Sequence, residues 1–232
     1  NQGVADINDI NGNGSTTDKI TPYPDYSISV ASKQTLIMDT SIKPKGSTEK
    51  YPIYDGTSNT AVGFTMGTEA QYTVHALNNA NRGLPEADTV VSKLTTYIPV
   101  PKAGMDFGST IQENPFKWNM RLTQAPTLRI YDATGNDVTS TKISEYQISY
   151  LLGNETDYLN GNYVETLTPN QFKDVTMVKV TNNKGEHGSS GILAGEEVFF
   201  DFDYVIDEDE NSIAANPEKL GSMNDFRPTY IY

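Results

Sequence analysis

Val198, Phe200, Phe202, Tyr204 and Ile206 put a large apolar side chain at every second position, and this period of two constrains the fold more than any other feature. A strand turns successive side chains to opposite faces, whereas a helix needs apolar residues at i, i+3, i+4 and i+7. The alternation recurs earlier in the chain. Tyr26, Ile28 and Val30 alternate with Ser27 and Ser29, and Tyr72, Val74 and Ala76 with Gln71, Thr73 and His75. Phe116, Trp118, Met120 and Leu122 alternate with Lys117, Asn119, Arg121 and Thr123, and Tyr146, Ile148 and Tyr150 follow the same rule. Each run is expected to be a strand with one wet face, and the run from Phe116 places Trp118 in the core.

Between the runs lie turn formers: Asp55-Gly56, Pro101 to Gly104, Thr134-Gly135-Asn136-Asp137, Asn160-Gly161-Asn162 and Asn182-Asn183-Lys184-Gly185. Only Leu167–Phe172 and Ala214–Met223 offer a short helical turn. Many short strands with this punctuation predict an all-β fold, an antiparallel Greek-key β-sandwich with short helical turns. Residues 1–25 are mostly polar, end in Thr21-Pro22-Tyr23-Pro24, and read as a linker or extended lead-in. Residues 26–232 read as a large β-sandwich domain, with two sub-sheets or two small sandwiches both compatible with the length.

Charge and cysteine content narrow the function. Seventeen basic against 30 acidic residues leave a net charge of -13, and no Lys/Arg stripe is present, which argues against a nucleic-acid partner. No apolar run approaches the roughly 20 residues of a bilayer span, so membrane insertion is not expected. The first residues lack the layout of a signal peptide, which suits a soluble, processed or excised piece. With no cysteine, disulfides, cysteine-zinc sites and thiol catalysis are excluded together. An acidic, Tyr-rich chain without cysteine points to a bacterial exterior.

The segment Gln71-Tyr72-Thr73-Val74-His75-Ala76-Leu77-Asn78-Asn79 resembles the xYxVxxxN strand of immunoglobulin-like repeats in bacterial surface proteins. It is followed by Leu94 to Lys102, Asn114 to Leu122, Val175 to Val180, and Leu193-Ala194-Gly195-Glu196-Glu197-Val198-Phe199-Phe200-Asp201-Phe202. This series, over about residues 26–232, resembles the adhesive modules of large Gram-positive (Firmicutes) cell-wall-anchored proteins. The resemblance implies an immunoglobulin-like sandwich acting as a non-catalytic adhesin or stalk module. Its partners would be a host or matrix protein or glycan and neighbouring domains of the same protein. It would be extracellular, anchored to the cell wall through a region outside this fragment. A carbohydrate-binding module of a secreted enzyme is the alternative.

Four tyrosines in loop-like segments, Tyr51, Tyr54, Tyr158 and Tyr163, are the candidate ligand contacts, because tyrosine gives rigid area with a polar tip. Asp9, Asn11 and Asn13 occupy positions one, three and five of a calcium loop with Gly14 at six, but Ile20 stands where the closing acid belongs. Asp201, Asp203, Asp207 and Asp209 form a second candidate calcium cluster, whose plainer reading is a solvated strand face and acidic turn. His75 and His187 stand in unlike contexts. Ser189 and Ser190 near His187 lack a nucleophile elbow, so no catalytic residue is assigned and no enzyme is expected. The resemblance also implies a self-formed isopeptide bond as a staple, for which Lys179 and Lys117 are the lysines with the most apolar sequence neighbours; solvated lysines are the alternative.

Overall fold

The computed structural model describes residues 4–5, 19–20, 36–46, 67, 69–112, 114–206 and 228–232. The chain divides into a unit of Asn1–Ala31 and a unit of Ser32–Tyr232. In the first, β1 (Val4–Ala5) pairs antiparallel with β2 (Lys19–Ile20). The expected strand at residues 26–30 lies outside the described residues, as do Asp55-Gly56 and Ala214–Met223.

The second unit carries two antiparallel sheets, which makes it an all-β sandwich. In chain order its elements are β3 (Leu36–Pro44), β4 (Glu69–Asn78), helix α1 (Glu86–Thr89), β5 (Lys93–Pro99), β6 (Met120–Leu122), β7 (Thr127–Tyr131), helix α2 (Thr139–Lys142), β8 (Tyr146–Leu152), β9 (Val175–Asn183), β10 (Glu197–Ile206) and β11 (Thr229–Ile231). The first sheet runs β3-β4-β10, and the second edge of β10 is shared: Glu197 to Asp201 pair with β7, Tyr204 to Ile206 with β6. The second sheet runs β11-β5-β9-β8. A 3-10 turn, Pro169–Asp174, stands at the helical turn expected around Leu167–Phe172.

The alternation seen in the sequence sets the packing. Tyr72, Val74 and Ala76 of β4 lie opposite Phe202, Phe200 and Val198 of β10, with Leu128 and Ile130 of β7 on the far side. These meet Leu94, Ile98, Tyr146, Tyr150, Val178 and Val180 of the second sheet in one core. Tyr146 packs edge-on against Phe200 across the layers, at 6.3 Å between ring centres, and the buried Tyr204 hydroxyl donates to the Pro99 carbonyl at 3.2 Å. A buried hydroxyl needs such an acceptor, because water cannot supply one.

A second cluster lies on the other phase of the second sheet. Tyr97, Leu151 and Met177 meet Met105, Phe107, Ile111 and Phe116, with Tyr158 and Tyr163 at its rim. Loops therefore cover the outer side of that sheet.

The run from Phe116 to Leu122 departs from expectation. Only Met120–Leu122 is strand, Phe116 belongs to the second cluster, and Trp118 is half-buried against the first. Asn119, on the supposed wet phase, is buried, and its Oδ1 accepts the Ala103 N–H at 2.6 Å. The segment serves two clusters in turn, so its spacing mimics a strand without being one.

Candidate functional site

The outward phase of the first sheet forms rows of side chains across neighbouring strands. Register puts Ile37, Leu77, Glu197 and Tyr131 in one row, and Asp39, His75, Phe199 and Arg129 in the next. Ser41, Thr73, Asp201 and Thr127 follow, then Lys43, Gln71 and Asp203. With the loops near Arg82, Asp132 and Gly195, the residues of these rows other than Ile37, Thr127, Asp201 and Asp203 line an open groove of about 840 Å³. That size lies in the range of sites that take a small molecule or a short segment of chain, about 300–1,000 Å³.

Phe199 stands at the centre. The His75 ring stacks on it at 4.4 Å between ring centres and 17° between planes, and the Arg129 guanidinium lies 4.7 Å from its centre. Because His75 and Arg129 come from strands on opposite sides of β10, both faces of the ring are covered. Tyr131 meets it edge-on at 5.8 Å. A cation over an aromatic face gains from the ring quadrupole, and the stack holds three side chains in fixed orientation.

Polar groups within the groove are largely engaged by partners in the protein. Arg129 grips Asp201 with two bonds, Nε to Oδ2 at 2.7 Å and a terminal nitrogen to Oδ1 at 3.1 Å, and the Thr73 hydroxyl donates to the same carboxylate at 2.7 Å. Such paired contacts fix geometry as well as charge. His75 Nδ1 stands 3.2 Å from both Asp39 oxygens, while its Nε2 is buried and 3.6 Å from Glu197. Asp132 accepts from the backbone N–H groups of Thr134 and Asn136 and from both their side chains. Those bonds, the Asn136 side chain first, hold its carboxyl well below the usual carboxylate range. Two lining cations differ: Arg82 and Lys43 have no carboxylate within ion-pair distance among the described residues.

The residues singled out from sequence fall elsewhere or inside this network. Asp201 and Asp203 do point to the outer face, yet both are buried and each has a cation, Arg129 and Lys45 respectively. Gln124 Nε2 donates to Asp203 at 2.7 Å. Among the described residues no group of three acids and histidines is arranged to hold a metal. Asp9, Asn11, Asn13, Asp207, Asp209, Tyr51 and Tyr54 lie outside the described residues.

Tyr158 and Tyr163 are half-buried on the second cluster, where Tyr158 packs edge-on against Tyr97 at 5.3 Å and the Tyr163 hydroxyl donates to the Tyr158 carbonyl at 2.7 Å. Lys179 sits on the same outer side of the second sheet, its Nζ 4.0 Å from the Tyr163 ring centre, and burial lowers its pKa. Lys117 is exposed. Ser189 and Ser190 turn to Glu145 and Asn182, and His187 lies in their loop with a φ of 53°.

The sequence reading missed Arg82, Arg129, Tyr131 and the enclosed pair Lys142–Glu196, in which burial raises the Glu196 carboxyl while the lysine opposes the rise. Outward phase on β4 and β10 was the only signal toward the groove; which residues share a row is set by register. Compared with known protein families, curated proteins and solved structures, the chain matches none.

Proposed function

We propose that this chain is a non-catalytic adhesive module of a Gram-positive cell-surface protein, built as an immunoglobulin-like sandwich and held at the cell wall through a region outside the fragment. It contacts a host or matrix macromolecule through the outer face of the first sheet. The observation that supports this reading is the fixed row Asp39–His75–Phe199–Arg129 on an open face. Aromatic and arginine side chains held in place lose little freedom on binding, which is why they dominate interface energetics. A glycan-binding module would call for a ring with a free face, and the central ring, Phe199, has both faces covered.

The test is a binding panel of matrix proteins and host glycans, probed with the natural chain and with Phe199→Ala. Phe199 lies outside both apolar clusters, so the variant is expected to fold. The natural chain should bind at least one panel member, with the variant weakened about tenfold or more. Equal binding by both would remove the groove from the interface, and binding to no panel member would overturn adhesion.

A further inference from the structure

The loop end of the groove is built from two turns. Beyond the pair Tyr131–Glu197, where β7 meets β10, one chain runs on into residues 132–137 and the other runs back into residues 193–196. Asp132, Ala133 and Gly135 of the first turn line the groove, as does Gly195 of the second. The two lie close: a Cβ on Gly195 would stand 2.8 Å from that of Ala133. Their backbone N–H groups nevertheless bond elsewhere, Asp132 and Gly135 within their own turn and Gly195 to the Asn78 carbonyl at 2.6 Å. A side-chain clasp spans them. Helix α2 follows the first turn, and its Lys142 meets Glu196 of the second, with side chains 15% and 3% exposed.

Glu196 is poorly provided for as an anion. Its Oε2 accepts from Lys142 and, at 3.3 Å, from the Leu193 N–H, while Oε1 is buried with no hydrogen-bond partner among the described residues. Glu145, at the end of the 3-10 turn Ile143–Glu145, adds a like charge, although Ser189 and Ser190 donate to its oxygens. Tyr146 of β8 feels both acids, with the Asn182 side chain of β9 beside it. Burial above all, and Glu145 with it, holds the Glu196 carboxyl above its ordinary value against the pull of Lys142 and Leu193.

We infer that Glu196 is an acid-operated latch: on taking up a proton it frees Lys142, and the two turns at the loop end of the groove part. This regulates the binding face proposed above and rests on that reading. A neutral carboxyl no longer offsets the lysine, and an ammonium left without a counter-charge in so enclosed a place is driven out to solvent. Lys142 is the last residue of α2, so its departure loosens the helix and the turn before it. The sign separates this from acid unfolding. A carboxyl raised in the folded state binds its proton more readily there than in the unfolded chain, so the uptake favours folding as pH falls toward the ordinary glutamate value. The groove changes in a domain that stays folded.

The experiment follows the Glu196 carboxyl carbon and the amides of Ala133, Gly135 and Gly195 in the isotope-labelled chain, as the pH is lowered from about 7 to about 4. The carbon should titrate above the ordinary glutamate value near 4.3, and the three amides should move with the same midpoint. Asp132 stays out of this range, because its carboxyl is held far below it. Glu196→Gln should hold the three amides near their acid positions already at about pH 7. Proton uptake at Glu196 with Ala133 and Gly195 unmoved would overturn the latch, as would the same pH-dependent movement in Glu196→Gln. Binding is measured separately. A panel ligand that depends on Phe199 should bind about tenfold less tightly below the Glu196 midpoint than above it, and equally weakly at both in Glu196→Gln. Equal affinity on both sides of the midpoint in the natural chain would overturn the regulation. A panel without a Phe199-dependent ligand would remove the face to be regulated, whereas the carboxyl and amide titration decides the latch itself.

Discussion

Asn78 shows how much one side chain holds together. It is fully buried, its Nδ2 donates to the carbonyls of Thr89 at 2.9 Å and Ile192 at 2.7 Å, and its Oδ1 accepts the Ala80 N–H at 3.2 Å. An amide has both donors and acceptor, so no other small side chain satisfies all three backbone groups. Asn78→Leu should cost about 2–4 kcal/mol in urea unfolding, since buried backbone groups lose their partners. Glu196 is 3% exposed and relies on Lys142. Lys142→Met should cost about 3–5 kcal/mol at pH 7, because it leaves a buried charge alone. The raised carboxyl pKa makes the protonated form the better fit to the folded state. The variant should therefore gain stability as pH falls from 7 toward the ordinary glutamate value, and adding Glu196→Leu should recover much of the loss. Asp132 works with the opposite sign. Its carboxyl is held low, so its contribution is present above the unfolded pKa near 4 and fades as pH falls below that. Asp132→Asn should flatten the acid limb of a stability–pH curve below about pH 4.

Strands differ in how firmly they are held. β10 is paired along both edges and has Val198, Phe200, Phe202 and Tyr204 fully buried, whereas β3 and β11 each pair with one described strand. Native-state hydrogen exchange should be slowest in β10 and β9 and fastest in β11, which opens without disturbing either cluster. The opposite order would contradict this pairing. β4, β8 and β10 were legible from their alternation because one phase of each faces a single core. Phe116 to Leu122 misled for the converse reason, since Phe116 and Trp118 answer to different clusters and Asn119 is buried by a bond to Ala103. The groove was legible only as polar phases. His75, Asp201 and Asp203 could be placed outward from spacing, but that Arg129 would reach Asp201 depends on a register fixed by partners 72 positions apart.

At the scale of the molecule, two apolar clusters lie on the two sides of the second sheet, and they need not fail together. Phe107→Ala, in the outer cluster, should expose the loops at 101–119 and 153–165 to protease while leaving the groove's binding intact; loss of both at once would mean one cooperative unit. Distance along the chain has a further consequence. The first sheet is assembled on β10, which pairs with β4, β6 and β7, and its contacts span long separations, such as the 128 positions between Thr73 and Asp201. During synthesis, the β3–β4 pair, β6 and β7 leave the ribosome before the strand that joins them exists. Until residue 206 has emerged, the growing polypeptide lacks a sandwich to close and can still be threaded through a narrow conduit as an open chain.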